Sequence, residues 1–212
     1  MKAKLIVLIV AVALLWSCAT TMQHTWKKEN FEGKHFDKVL VLAISKNLKS
    51  RTLFENTVVD LLKENGINAT NALNVFTPVE DLKSISEEDI GKRIKDGGYD
   101  AVLVTSLVDT RTRDVQVNNT NYYPYMYGGY YGYGYRGFIY SNYNYMYSDQ
   151  YREEKTYVLE TRLYDVNISD PKEAVVWAGQ SELVDPSGSE SASNTYSKQL
   201  VKALIESGAV KP

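Results

Sequence analysis

The sequence is poor in the residues that most active-site chemistry needs. It holds one cysteine, Cys18, and two histidines, His24 and His35, in 212 residues. A single thiol cannot close an intramolecular disulfide, and two histidines with no cysteines beside them do not make a structural metal set. Both histidines lie in a polar segment ahead of the first apolar run, so a Ser-His-Asp arrangement would need one of them to fold back onto the core. Positive charge is also short. Lys and Arg number 24 against 26 Asp and Glu, a formal charge of −2, which removes the electrostatic case for nucleic acid. No P-loop, nucleophile-elbow or dinucleotide pattern occurs. Gly97-Gly98 precede an apolar run instead of following one, the reverse of a phosphate-cradling loop.

Acidic pairs are the remaining route to catalysis. Asp109 and Asp114 flank Arg111 and Arg113, and Glu160 alternates with Arg162. Two such acids could serve a glycosidase, but the interspersed arginines favour cross-strand ion pairs on a solvated face. No catalytic residue, metal ligand or cofactor is assigned, and the chain is expected not to be an enzyme.

What is present begins at the N-terminus. Lys2 and Lys4 precede an uncharged apolar run from Leu5 to Trp16, too short to span a bilayer comfortably and followed by a small residue. This is the pattern of an export signal. Its end, Leu15-Trp16-Ser17-Cys18, resembles the lipobox of bacterial lipoproteins, in which the cysteine is acylated and becomes the new N-terminus. The alternative is an ordinary secretory signal that happens to hold the one cysteine. Two or three acyl chains on Cys18 would make attachment to a membrane effectively permanent. Ala19, in place of the Asp that marks inner-membrane retention in many such proteins, points to the outer membrane and a periplasm-facing domain. Removing residues 1–17 leaves 212 − 17 = 195 residues and a charge of 22 − 26 = −4, enough chain for one domain with a core.

Residues 18–36 read as a lipidated tether, and residues 37–210 as an α/β domain. Lys38 to Ile44 is a continuous apolar run, as in a strand buried on both faces. Thr52 and Glu55 have capping-box spacing ahead of Phe54, Val58, Leu61 and Leu62, with Gly66 placed to stop that helix. Ile67–Ala72 is a short strand. A second helix is predicted over Glu87–Asp96, with Ser86 as its N-cap and Gly97-Gly98 as its stop. Ala101–Val108 is a strongly apolar strand that turns polar and alternating to Asn118. Thr156–Val166 and Ala174–Ala178 form a hairpin, and a helix from about Ser191 to Ser207 turns Tyr196, Leu200, Ala203 and Leu204 inward. The order implies a single domain with a mixed, partly parallel sheet flanked by about three helices.

Between the third and fourth core strands lies a low-complexity insertion at 119–151, with thirteen of the 17 tyrosines. Tyrosine buries a large ring yet keeps a hydroxyl for a partner, so it suits adhesive surfaces. Tyr123, Tyr125, Tyr127, Tyr131, Tyr133, Tyr135, Tyr143, Tyr145 and Tyr147 are the candidate interaction residues. Three readings stay open: a loop without a fixed partner; a hairpin contacting an envelope protein, a second copy of the chain or the membrane interface; and a platform for glycan or peptidoglycan.

The order FDKVLVLAIS, R-x-x-FE opening a helix that ends L-x-x-x-GI, GGYDAVLVTSLVD, ETRLYDV, VVWAGQSEL and a terminal ALIESG resembles a broad group of bacterial envelope lipoproteins with a Tyr/Gly-rich insertion. More distantly it is similar to the fold of the TolB N-terminal domain, the lipoprotein activator of a penicillin-binding protein, and the curli-export lipoprotein. The resemblance covers residues 37–208 outside the tyrosine stretch, and its motifs are core patterns rather than active-site signatures. It implies an assembly, scaffolding or regulatory module in the periplasm, without catalysis. Arg51 and Glu55, one turn apart, are expected to form an ion pair or take a capping role, the alternative being a partner-binding contact at the start of the helix. Trp177 is expected to pack in the core or on a sheet face in preference to forming a ligand platform.

Overall fold

Residues 22–45, 47–77, 85–116, 151–170 and 173–212 are described by the structure, a computed structural model. In chain order they form β1 (His24–Lys27), β2 (Lys34–His35), β3 (Val39–Ile44), α1 (Leu48–Glu64), β4 (Ala69–Asn71), a 3-10 turn (Ala72–Asn74), α2 (Glu87–Asp96), β5 (Ala101–Gln116), β6 (Tyr151–Asp165), β7 (Val175–Val184), α3 (Ser189–Glu206) and β8 (Val210–Lys211). The main sheet runs β1-β7-β6-β5-β3-β4, and β2 and β8 make a small second sheet. β3 is parallel to both β4 and β5, whereas β1 is antiparallel to β7. This is the mixed, partly parallel α/β architecture with three helices that the apolar runs imply.

The run Val39–Ile44 explains the layering. Alternate side chains of a strand point to opposite faces, so an unbroken apolar run requires cover on both. Val39, Val41 and Ala43 join the cluster holding Phe54, Val58 and Leu62 of α1 and Tyr196, Leu200 and Leu204 of α3. Leu40 and Leu42 join a second cluster with Phe76, Tyr99 and Ile94 of α2.

Helix ends follow local chemistry, with one correction. Ser86 caps α2 as predicted, its Oγ accepting from Asp89 N–H at 3.1 Å. The first helix starts a full turn earlier than the Thr52/Glu55 spacing suggests. Asn47 is its cap, Oδ1 accepting from Ser50 N–H at 3.0 Å. Thr52 is therefore inside α1 and Glu55 lies on its buried face, which frees that carboxylate for another task.

The segment read as a tether is largely folded. Met22 is buried, β1 pairs with β7 from His24↔Gln180 to Lys27↔Trp177, and β2 pairs with β8. The four side chains of β1 are all exposed, so nothing in HTWK shows an apolar period; backbone ladders hold the strand. Close approach fixes this region too. Gly33 has φ 83°, and a β-carbon there would run into the carbonyl oxygen of Gly208. Lys34 Nζ meets Asp165 Oδ2 at 3.0 Å.

The chain divides into two compact units, one of residues up to Thr110 with Tyr157–Pro212, the other Arg111–Thr156. In the second, the described residues are the end of β5 and the start of β6, where Arg113 Nη2 donates to Glu154 Oε1 at 2.7 Å. Among the described residues no helix is long and apolar enough to cross a membrane.

Candidate functional site

A cleft of about 530 Å³ opens in the larger unit, where the end of β3 meets the first turns of α1 and α3. That volume falls in the range of small-molecule sites. Ala43 and Ile44 form one side of the cleft, Ser50, Arg51 and Phe54 another, and Leu159, Leu183 and Ala192 supply apolar wall. The carboxyl ends of parallel strands are where α/β sheets commonly leave such a crevice.

Two polar clusters lie at this cleft. In the first, Arg51 Nε donates to Glu55 Oε1 at 2.8 Å, and their side chains are only 8% and 0% exposed. Glu55 also accepts two backbone N–H groups, from Ala43 at 2.9 Å and from Ala72 at 3.1 Å. One carboxylate thus ties α1 to the end of β3 and to the residue after β4. A buried charge needs this degree of satisfaction to be tolerated. The guanidinium is less well served, because Arg51 Nη2 is buried with no hydrogen-bond partner among the described residues.

The second cluster is a chain of hydroxyls. Thr105 Oγ1 and Thr161 Oγ1 are 2.7 Å apart, and Thr161 Oγ1 is 2.9 Å from Tyr196 Oη, linking β5, β6 and α3. Burial pushes the Tyr196 phenol well above its ordinary value, opposed by the hydrogen bond with Thr161. Tyr196 therefore stays neutral throughout the physiological range. Its ring lies 6.0 Å from that of Phe54, centroid to centroid.

Helix N-termini add a directional field. The first turn of α1 carries no acidic residue and includes Lys49 with Arg51 just beyond it, the opposite of the usual preference near the positive end of a helix dipole. In α3 the N-cap is Gly188, which offers no capping side chain. Ser193 Oγ, on the next turn of α3, is buried without a hydrogen-bond partner among the described residues, and its residue lines the cleft.

No protein-family model and no curated protein matches the chain. Among solved structures it is similar to the PelC dodecamer from Paraburkholderia phytofirmans in two crystal forms. One shows 14% identity over 88% of this chain and 96% of that chain, TM-score 0.42. The other shows 12% identity over 89% and 97%, TM-score 0.43. It is also similar to lipoprotein GNA1162 from Neisseria meningitidis, with 18% identity over 80% and 96% and a TM-score of 0.39. These are likenesses of chain trace at low identity.

The sequence-derived residues separate into two groups. Cys18 and the nine candidate interaction tyrosines lie outside the described residues. Arg51 and Glu55 do pair, and Trp177 is fully buried in the core. The cross-strand pairing expected of the exposed acids and arginines holds for Arg113 with Glu154, whereas Arg162 pairs with Glu160 on its own strand at 2.6 Å. Both histidines belong to strands, His24 to β1 and His35 to β2, and neither lines the cleft. Sequence reasoning missed the Thr105-Thr161-Tyr196 chain. The available signal was a threonine inside each of two apolar strands, since a buried hydroxyl needs a partner.

Proposed function

We propose that the chain is a lipid-anchored, non-catalytic interaction module of the cell envelope, held through Cys18 in the outer membrane and facing the periplasm. The observation that carries this reading is the distance between anchor and body. The lipobox cysteine is residue 18, and Met22, four positions on, is already buried against Gly179 and Trp177. Four residues reach at most about 14 Å, so an acylated Cys18 would keep the folded body at the membrane surface. A body held there can recruit, orient or regulate neighbours without turning over a substrate.

Residue chemistry supports the absence of catalysis in the proposal. Arg51 is the one charged residue lining the cleft among the described residues, and its carboxylate partner is fully occupied. The tyrosine stretch is the contact surface in this reading.

Two measurements test it. Alkyne-palmitate labelling should tag the wild-type chain and lose the tag in Cys18→Ser, with the protein moving from the outer-membrane fraction to the soluble one. An untagged wild-type chain would overturn the anchor. Crosslinking in intact envelopes should then capture a defined protein that is lost on deleting residues 119–150. Retention on purified sacculi with no protein captured would replace the protein partner by a glycan.

A further inference from the structure

Six large apolar side chains are exposed among the described residues, and five of them gather at one end of the main sheet. Ile44 and Leu107 stand at the cleft, Leu48 opens α1 just before the lining residues Ser50 and Arg51, and Val108 and Val184 follow the lining residues Leu107 and Leu183. These five are between 48% and 59% exposed. One exposed apolar side chain is ordinary on a protein surface, whereas a group of them at one place marks a contact surface. The course of the chain into the fold selects what that surface meets. β1 is antiparallel to β7, with Lys27↔Trp177 at one end of the ladder and His24↔Gln180 at the other. The chain therefore enters β1 from the end of β7 that carries Leu183 and Val184. Leu183 is three residues beyond Gln180, about 10 Å along the strand. Met22 is four residues from Cys18, at most about 14 Å of chain, so an acylated Cys18 brings its membrane within reach of the apolar end.

We infer that this end of the sheet is the surface that the folded body lays on the lipid bilayer, with Ile44, Leu48, Leu107, Val108 and Val184 set among the head groups and upper acyl chains. The inference rests on the lipid anchor proposed above. A short tether makes the contact intramolecular, so a patch too small to hold a free protein on a membrane is enough to orient one that is already anchored. Lys49, exposed beside Leu48, suits the same surface, because its stem follows apolar contacts while its ammonium stays among phosphates. Asp109 and Asp185, at the border of the patch, each have an interaction within the protein.

The test uses the chain purified from membranes and reconstituted into vesicles of phosphatidylethanolamine and phosphatidylglycerol, some of the lipid carrying a nitroxide high on its acyl chain. Leu48→Cys, Leu107→Cys and Glu64→Cys each add one free thiol, since the single native cysteine is taken up by the lipid. All three positions are exposed, so the changes spare the core. Glu64 ends the helix that Leu48 begins, sixteen residues or about 24 Å away. An environment-sensitive fluorophore at Leu48 or Leu107 is expected to shift to the blue and be quenched by the nitroxide lipid, and one at Glu64 to do neither. Leu107→Asp together with Val184→Asp should abolish the quenching at Leu48 while the protein still floats with the vesicles, because the lipid holds it there. That set of results supports the inference. A floating chain whose Leu48 and Leu107 probes are unquenched, or quenched no more than the Glu64 probe, overturns it and leaves the anchor standing, as does quenching indifferent to the two aspartates. Unquenched probes that crosslink to a protein in intact envelopes overturn it in favour of a protein partner. A chain that does not float overturns the anchor reading and this inference with it.

Discussion

Two arginine–glutamate pairs in this protein make the same bond in different surroundings. On α1, Arg51 Nε reaches Glu55 Oε1 at 2.8 Å with both side chains almost wholly buried; on β6, Arg162 Nε reaches Glu160 Oε1 at 2.6 Å with the arginine side chain 53% exposed. The bonds are nearly equal in length, and the difference is in what else depends on them. Glu55 holds two backbone N–H groups from separate segments as well as its arginine, so it joins three parts of the core. The Glu160 bond raises the Arg162 guanidinium above its ordinary value, yet water stands ready to replace either partner. Burial, not bond length, decides which pair the fold depends on.

The largest expected break in this comparison is at Glu55. Glu55→Ala should lower stability by about 3–5 kcal/mol in chemical denaturation, because it strands a buried guanidinium and two backbone donors. A sharper test is the double change Arg51→Met with Glu55→Leu. If the charges alone mattered, the double variant would return close to wild type; the orphaned N–H groups of Ala43 and Ala72 should instead keep it about 2 kcal/mol or more below. Next comes the hydroxyl chain. Tyr196→Phe should cost about 1 kcal/mol at neutral pH, since Thr161 keeps Thr105 as a partner.

Its pH dependence has a definite sign. The folded state holds the Tyr196 proton to higher pH than the unfolded chain does, so above about pH 10 the unfolded state loses a proton that the native state keeps. The contribution of this group is therefore complete below that pH and falls as pH rises through it. Wild type should lose stability between about pH 10 and 11 more steeply than Tyr196→Phe, as urea midpoints measured across that interval would show. Equal slopes would mean that the phenol is accessible to solvent. The smallest effect is at the exposed pair, where Arg162→Ala should change stability by no more than about 0.5 kcal/mol.

How far the sequence revealed these features depends on the range of the interaction. The pairing of Arg51 with Glu55 follows from their spacing on one helix, and Ser86 at the head of α2 from its own local pattern. The fate of Glu55 did not follow. Thr52 and Glu55 imitate a capping box, and only the position of Asn47 one turn earlier, together with the approach of Ala43 and Ala72, turns that carboxylate inward. The cleft was likewise illegible, because Arg51, Thr105, Leu159 and Ser193 come from four elements far apart in the chain.

The sequence by itself determined the class of the fold, the order of its main strands and helices from residue 39 onward apart from the start of α1 and the short β8, and the export and lipidation signal expected at Cys18. These depend on period, composition and near neighbours, which a linear chain displays directly. Tertiary structure alone decided that residues 22–36 join the fold. It also decided that Glu55 serves as a three-way acceptor and that two buried donors remain beside a cavity. In each case the deciding partner is a backbone group or side chain brought from a distant part of the sequence, and backbone hydrogen bonding leaves no mark on residue type.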